Sequence, residues 1–420
     1  MPERGLEELV GLLNTERGQS QGYLWATLAS KTAASSAPCL AIVLLFGLIF
    51  SSFSGRIRSL EIVDHTTFPN YSLKESLDLC MQNESLKCAM YHMSHTGLGS
   101  QLMNMFASRM YLQQVHGFDI FLVDDALYGY KQPDDGTSVM TGYFSPHWPC
   151  LSHEKEYEQV EHYFPPGFNI TKFNQGDNSA QASHFYRDMV MTEPLPGAVV
   201  MTSVKTFRES VPWLSNQPAG GYFRFVDSMC DELQFNEKVQ PKINRMRAAL
   251  YDGLPRFLHS WPYKSVAFHV RRTDKLRKES AFFPAEMYVK KLSEVIQEDA
   301  IQKADVKLCF LASDDFKVHA EMRQALRSNN FTCHYVYTPP LGDDEEGVSS
   351  GQKGLRYKAA AGLIFITELS VLMEASYFIG TFNSNVGALV SVLRACPGRY
   401  NGTHHYARSY GVDREDWYFR

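Results

Sequence analysis

His269-Val270-Arg271-Arg272-Thr273-Asp274-Lys275 crowds five ionisable side chains into seven residues, directly after the apolar run Ser265-Val266-Ala267-Phe268. The run reads as a buried strand. Two adjacent arginines at the carboxyl end of such a strand are costly to bury unless an anion meets them. In an open α/β sheet that edge is where ligands bind. A planar guanidinium matches a phosphate at two points, so the natural partner of the pair is a diphosphate. A bare Arg-Arg pair is more often a solvated turn with structural salt bridges.

Two further segments carry residue types suited to an anion. Gly97-Leu98-Gly99-Ser100-Gln101-Leu102 is a glycine loop that runs straight into a predicted helix. Glycines let backbone amides approach a phosphate or sugar closely, and a helix N-terminus adds a positive dipole end. A lone Gly-x-Gly is usually a simple turn, so the weight rests on the helix that follows. Asn383-Ser384-Asn385 is a second strand-to-helix passage. Asp314-Asp315 follow a predicted strand, but adjacent side chains point differently, unlike the Asp-x-Asp pair that often holds magnesium. No persuasive metal cluster is found in the sequence. Arginine can replace a metal in stabilising a departing diphosphate.

The elements that must position these residues alternate from about Arg256 onward. Predicted strands are Ser265–Val270, Lys307–Ala312, Thr332–Tyr337 and Tyr377–Thr381. Predicted helices are Pro284–Glu298, Lys317–Asn329, Leu355–Glu374 and Val386–Leu393. Such alternation implies a doubly wound parallel sheet over 256–420. Residues 80–255 read as a first catalytic lobe, with a helix from Gln101 to His116, a glycine stop at Gly117 and a strand from Phe118 to Val123. The acidic stretch 342–351 reads as a solvated loop.

His269 to Lys275, with Glu279, Ala281, Phe282 and Pro284 at fixed spacing after it, resembles the donor-binding motif of the α1,6-fucosyltransferases, which fucosylate the N-glycan core. Weaker matches run from about Cys80 to Arg394 through the glycine loop, Asp314-Asp315 and Gly380 to Val386. The resemblance implies a two-lobed, GT-B-like α/β glycosyltransferase that uses GDP-fucose and needs no metal or other cofactor. It implies that Arg271 grips the β-phosphate, that Arg272 shapes the site nearby and that His269 contacts the nucleotide. Glu279 falls at the position of the catalytic base, flanked here by the basic Arg277 and Lys278. Lys275 would orient the acceptor or offset charge, and Asp274 would hold Arg271 or Lys275 in place. Ser384 matches a phosphate-contacting serine, with Asn385 beside it. Glu368 stands where the family uses aspartate to read guanine; a carboxylate accepts from the N1–H and N2–H₂ edge. Asp314 and Asp315 are further candidate donor-binding residues, as are Gly97 and Gly99.

The chain has 420 residues, a net charge of −5 and 44% hydrophobic residues, which fits a globular protein and gives no reason to expect nucleic acid as a partner. Residues 32–55 carry no charge, and as a helix would be about 36 Å long, enough for a hydrocarbon core of roughly 30 Å. We read them as an uncleaved signal anchor, after a tail at 1–31 and before a short stem at 56–79. The glycosylation acceptors Asn70, Asn83, Asn169, Asn330 and Asn401 all follow that segment, which favours a luminal carboxyl side, as in a single-pass type II Golgi membrane protein. Of eight cysteines, Cys39 lies in the anchor, leaving an odd number beyond it. The family's bridge implies Cys80–Cys150 and leaves Cys88 open; Cys309 and Cys333, on consecutive strands, could pair. Thr96, Ser100, Ser108, Gly380 and Gly387 stand where the family has cysteines.

The expectation is an inverting, metal-independent fucosyltransferase acting on a glycan or glycoprotein, with α1,6 linkage implied by the resemblance. The coiled-coil stem and the SH3-like domain of the core-fucosylating relatives find no counterpart in this sequence. An α1,2- or other glycan or protein fucosyltransferase on the same fold is the nearest alternative. A membrane-anchored glycan-binding pseudoenzyme is an alternative of another class.

Overall fold

Two parallel sheets carry the architecture, and each repeats one strand order. The computed structural model describes residues 73–83, 85–93, 97–124, 139–145, 150–151, 199–202, 219–255, 264–272, 281–338, 355–396 and 408–413. All lie in the compact unit Thr66–Arg420. The predicted tail, anchor and acidic loop fall outside the described residues. Among the described residues no helix is long and apolar enough to cross a membrane.

The first sheet holds β1 (Cys88–His92), β2 (Ile120–Asp124), β3 (Cys150–Leu151) and β4 (Val199–Thr202) in the order β3-β2-β1-β4. The second holds β5 (Lys264–Val270), β6 (Val306–Ser313), β7 (His334–Tyr337), β8 (Tyr377–Gly380) and β9 (Ser409–Gly411) in the order β7-β6-β5-β8-β9. Every strand pair is parallel. In both sheets the chain builds outward on one side and then crosses to the other. The reversal falls between β1 and β4, and between β5 and β8. Such a reversal opens a crevice at the carboxyl edge. The glycine loop follows β1 and the Arg-Arg pair follows β5, so both motifs leave the sheets at these crevices.

The described helices are α1 (Leu73–Gln82), α2 (Leu98–His116), α3 (Val139–Tyr143), α4 (Ala219–Glu232), α5 (Gln240–Leu250), α6 (Ala285–Glu298), α7 (Lys317–Ser328), α8 (Leu355–Glu374) and α9 (Asn385–Arg394). The predicted elements of the second lobe match these within about two residues. Helix α1 starts inside the predicted stem. Helix α2 starts earlier than predicted, at Leu98, and stops where Gly117 takes a left-handed φ of 64°. In α6, Ala285, Tyr288, Val289, Leu292, Val295 and Ile296 are buried, the stripe expected of a helix lying on a sheet.

Strand β5 is buried over Ser265–Val270, as a strand covered on both faces must be. Its side chains alternate between two cores. Val266, Phe268 and Val270 join the core under α6 and α7. Ala267 joins the core built with α8, α9 and the helices of the first lobe. That alternation assigns His269 and Arg271 to the second side and Arg272 to the first.

Disulfides fix element ends. Cys80 of α1 pairs with Cys88 of β1, which corrects the expected Cys80–Cys150 bridge. The short link between α1 and β1 brings their Cα atoms to 6.1 Å, inside the range a disulfide needs. Cys309–Cys333 joins β6 to the residue before β7, as their consecutive placement suggested. Cys230–Cys396 ties α4 to the residues after α9 across 166 residues, a pairing with no signal in the local sequence. Arg394, 3% exposed, donates to the carbonyls of Leu372 (3.1 Å), Met373 (2.9 Å) and Ala375 (2.5 Å). The guanidinium thereby closes the carboxyl end of α8 and sets where β8 begins.

Candidate active site

Strand register brings the motif residues together. His269 pairs with Ala312 on β6 and with Gly380 on β8. One step further the strands end, and Arg271, Asp314 and the loop after β8 meet at the crevice. Asp314 organises the cluster. Its Oδ2 lies 3.2 Å from Arg271 Nε, and its Oδ1 accepts from the Arg272 backbone N–H at 2.9 Å. Anchoring through Nε sets the plane of the Arg271 guanidinium, whose side chain is 22% exposed.

Arg272 turns the other way, as the alternation requires. Its guanidinium sits 2.6 Å from Glu321 of α7, reaches the Phe283 carbonyl at 3.4 Å and lies 4.5 Å from the centre of the Phe282 ring. Its side chain is buried. Arg272 therefore fastens the residues before α6 to α7.

His269 is buried, and its Nδ1 has no hydrogen-bond partner. Burial pushes its pKa down to about 4, the Arg271 charge adding to the effect and Asp314 opposing it. The imidazole is neutral at physiological pH, with one nitrogen left to a ligand. Glu368 of α8 lies on the same side of the sheet. Burial pushes its carboxyl up to about 7; the Thr338 side chain lowers it and the Asp314 charge raises it further. Asp315 stands apart. Its Oδ1 accepts from the Lys317 N–H at 2.9 Å, so it holds the start of α7. Ser313 Oγ accepts from the Asp315 N–H at 3.2 Å and steadies the turn.

The two glycines of the first-lobe loop also part company. Gly97 precedes α2, and a Cβ there would meet nothing within 4 Å. Gly99 lies inside the first turn, where a Cβ would come within 2.9 Å of Val386 and 3.2 Å of Phe365. Gly99 thus serves the close packing of α2 on α9 and α8, and Gly97 is the glycine beside open space. Asn385 Nδ2 donates to Ser100 Oγ at 2.8 Å, which joins the first turns of α9 and α2. Two helix N-termini, one from each lobe, are held side by side, a placement that favours negative charge. Ser384 precedes α9 and is 5% exposed. A Cβ at Gly387 would lie 2.1 Å from the Thr381 carbonyl oxygen, so only glycine fits there.

Asp274, Lys275 and Glu279 lie outside the described residues. Among the described residues no group of three or more His, Cys, Asp or Glu side chains is placed to hold a metal ion. Two residues missed by sequence reasoning border the crevice. Tyr288 of α6 is buried, and burial raises the pKa of its hydroxyl while the Thr381 side chain and the Arg272 charge oppose it. Asp413, two residues beyond β9, accepts from the backbone N–H groups of Phe382 and Asn383. Tyr288 was signalled only as an apolar-stripe position, and Asp413 by nothing local.

Comparison with known proteins agrees with the resemblance carried by the motif. Residues 243–394 match the sequence model of the α-(1,6)-fucosyltransferase N- and catalytic domains. That segment runs from within α5 to the end of α9 and includes strands β5 to β8, while β9 and Asp413 lie beyond it. The chain is 27% identical over 169 residues to the α-(1,6)-fucosyltransferase of Caenorhabditis elegans, covering 39% of this chain and 28% of that protein. The chain thus spans just over a quarter of that relative's length. Among solved structures, the fucosyltransferase NodZ from Bradyrhizobium is 13% identical with a TM-score of 0.43, over 73% of this chain and 93% of its own. FUT1 of Arabidopsis thaliana, a mutant in complex with GDP, is 10% identical with a TM-score of 0.41, over 77% and 72%. Structural likenesses of this size carry no argument about function.

Proposed function

We propose that this chain is a fucosyltransferase that moves fucose from GDP-fucose to a glycan. The observation that carries the reading is Arg271 at the crevice between β5 and β8, oriented by Asp314 and lying within the segment that matches the family. As the bond from fucose C1 to the diphosphate breaks, negative charge builds on the β-phosphate and the sugar takes on oxocarbenium character. Arg271 and the paired N-termini of α2 and α9 meet that charge. Glu279 takes the proton of the attacking acceptor hydroxyl, which approaches C1 opposite the departing GDP, so the configuration inverts. Lys275 and Asp274 support the acceptor side. His269 and Glu368 face the nucleoside. No step needs a metal, and the α1,6 linkage on N-glycans follows from the resemblance.

The decisive test incubates the purified luminal region with GDP-fucose and a glycan array in the presence of EDTA, with linkage analysis of the product. Fucosylated product is expected. GDP binding without transfer or hydrolysis on any acceptor would replace the enzyme with a glycan-binding pseudoenzyme. Activity lost in EDTA and restored by manganese would overturn the metal-free mechanism.

We also propose a type II Golgi topology, anchored by residues 32–55. Support comes from the one-sided acceptor sequons, of which Asn83 and Asn330 are exposed. N-glycosidase treatment of protein from a secretory host is expected to increase its electrophoretic mobility, and unchanged mobility would remove the topology.

Glu368 makes donor binding depend on pH. Only its carboxylate form can accept both guanine N–H groups. Its folded pKa lies above the ordinary value of 4.5, so the unoccupied site loses its carboxylate as pH falls through about 7. Affinity for GDP-fucose is therefore expected to be full at pH 8 and about tenfold lower at pH 6, since each unit below the pKa costs roughly 1.4 kcal/mol. Calorimetry of wild type beside Glu368→Gln checks this, because the variant should bind weakly with no such slope. The same slope in both proteins would move guanine recognition to another residue.

A further inference from the structure

We infer that Asp413 is a positioning residue for the donor diphosphate, acting through the loop that carries Ser384. The inference rests on the proposed use of GDP-fucose. Strand β9 pairs with β8 through Gly411, and the ladder continues as Val412 donates to the Gly380 carbonyl at 2.9 Å. That pairing brings Asp413 to the turn leaving β8. Its Oδ1 accepts from the Phe382 N–H and its Oδ2 from the Asn383 N–H, both at 2.8 Å. Two consecutive amides facing one carboxylate form a strong charge-assisted pair. The same turn is closed by Ser384 N–H donating to the Thr381 carbonyl at 3.3 Å. Helix α9 then begins with Ala388 N–H donating to the Ser384 carbonyl at 3.0 Å.

The chemistry of this arrangement is selective. Successive backbone N–H groups in such a turn make an anion-binding concavity. In this protein the side chain of Asp413 occupies the first two. An incoming diphosphate is thereby directed past the turn to the amides at the start of α9, beside Ser384 and the N-terminus of α2. Without the carboxylate, the turn gains two unsatisfied donors. It can rotate toward solvent or bind phosphate itself, out of line with Arg271. The contact is placed at the phosphate end of the site because the turn it holds runs directly into Ser384 and the start of α9.

The test separates phosphate from nucleoside. Binding of GDP and of guanosine is measured by calorimetry for wild type, Asp413→Asn and Asp413→Ala, beside donor KM, acceptor KM and Tm. The expected result is GDP affinity and donor KM worsened tenfold or more in Asp413→Ala. Guanosine affinity and acceptor KM should be unchanged, and Asp413→Asn, which keeps one acceptor oxygen, should fall between the two. GDP and guanosine weakened alike would overturn the inference in favour of general loosening. So would unchanged GDP affinity with a lowered Tm. If Asp413→Ala does not fold, Asp413→Asn alone decides by the ratio of GDP to guanosine affinity. Wild type that binds no GDP would overturn the donor reading itself, and this inference with it.

Discussion

Arg271→Lys is expected to cut fucosyl transfer by about 10²–10³-fold, the usual cost of one lost charge-stabilising donor at a reacting centre. The charge is retained in this variant, so the loss would come from geometry. Arg271 is held through Nε by Asp314 at 3.2 Å, and the planar guanidinium can meet an aspartate and a phosphate on different edges at once. An ammonium is a point charge on a flexible stem. It can sit at Asp314 or reach the phosphate, and in either position one partner loses its counter-charge. Asp314 is 7% exposed, so leaving it unpaired is costly. Its Oδ1 keeps the Arg272 N–H, which should preserve the turn. GDP affinity should fall along with turnover, because the proposed grip on the diphosphate holds in the ground state and tightens as charge develops. Calorimetry with GDP beside transfer rates reads both. Near-normal turnover in Arg271→Lys would remove Arg271 from the centre of the mechanism.

The contrast between Arg271 and Arg272 shows what was legible beforehand and what was not. The buried run before the motif, its position at a strand's carboxyl end and the alternating elements around it were all readable, because periodicity and apolar content are local. The same period-2 rule sends adjacent arginines to opposite faces, although the pair was expected to meet the diphosphate together. Which face was the crevice required the topology, since only the β7-β6-β5-β8-β9 order puts the reversal beside β5. The divergence of Asp314 and Asp315 was visible from their adjacency. Their separate duties were not, because one depends on β5 and the other on the first turn of α7. Cys80 shows the opposite failure. A family bridge was carried over, and the short link from α1 to β1 closed a different one. Asp413 was beyond reach of the sequence. Strand β9 is three residues long with no apolar run, and its partners lie about 30 residues away on a loop with no carboxylate signal of its own.

Glu279→Gln is expected to lower turnover by roughly 10²–10⁴-fold while leaving GDP affinity nearly intact. The amide cannot take a proton from the acceptor hydroxyl, yet it matches the carboxylate in size and keeps a hydrogen-bond acceptor. An acceptor-side base has no contact with the nucleotide, so the two readouts should separate, where Arg271→Lys moves them together. The local sequence sharpens this expectation. Arg277 and Lys278 precede the glutamate, and positive neighbours that point toward a carboxyl favour its ionised form. A base with a depressed pKa stays available at lower pH but pulls less strongly on the proton. The acidic limb of the transfer profile should therefore lie below pH 7 for the catalytic step at saturating donor. The Glu368 titration near pH 7 should affect donor KM. Neutralising the flank in Arg277→Ser and Lys278→Ser should move the acidic limb upward and leave donor KM in place. Near-normal turnover in Glu279→Gln would assign the base to another residue, and an acidic limb unmoved by the flank variants would detach it from Glu279.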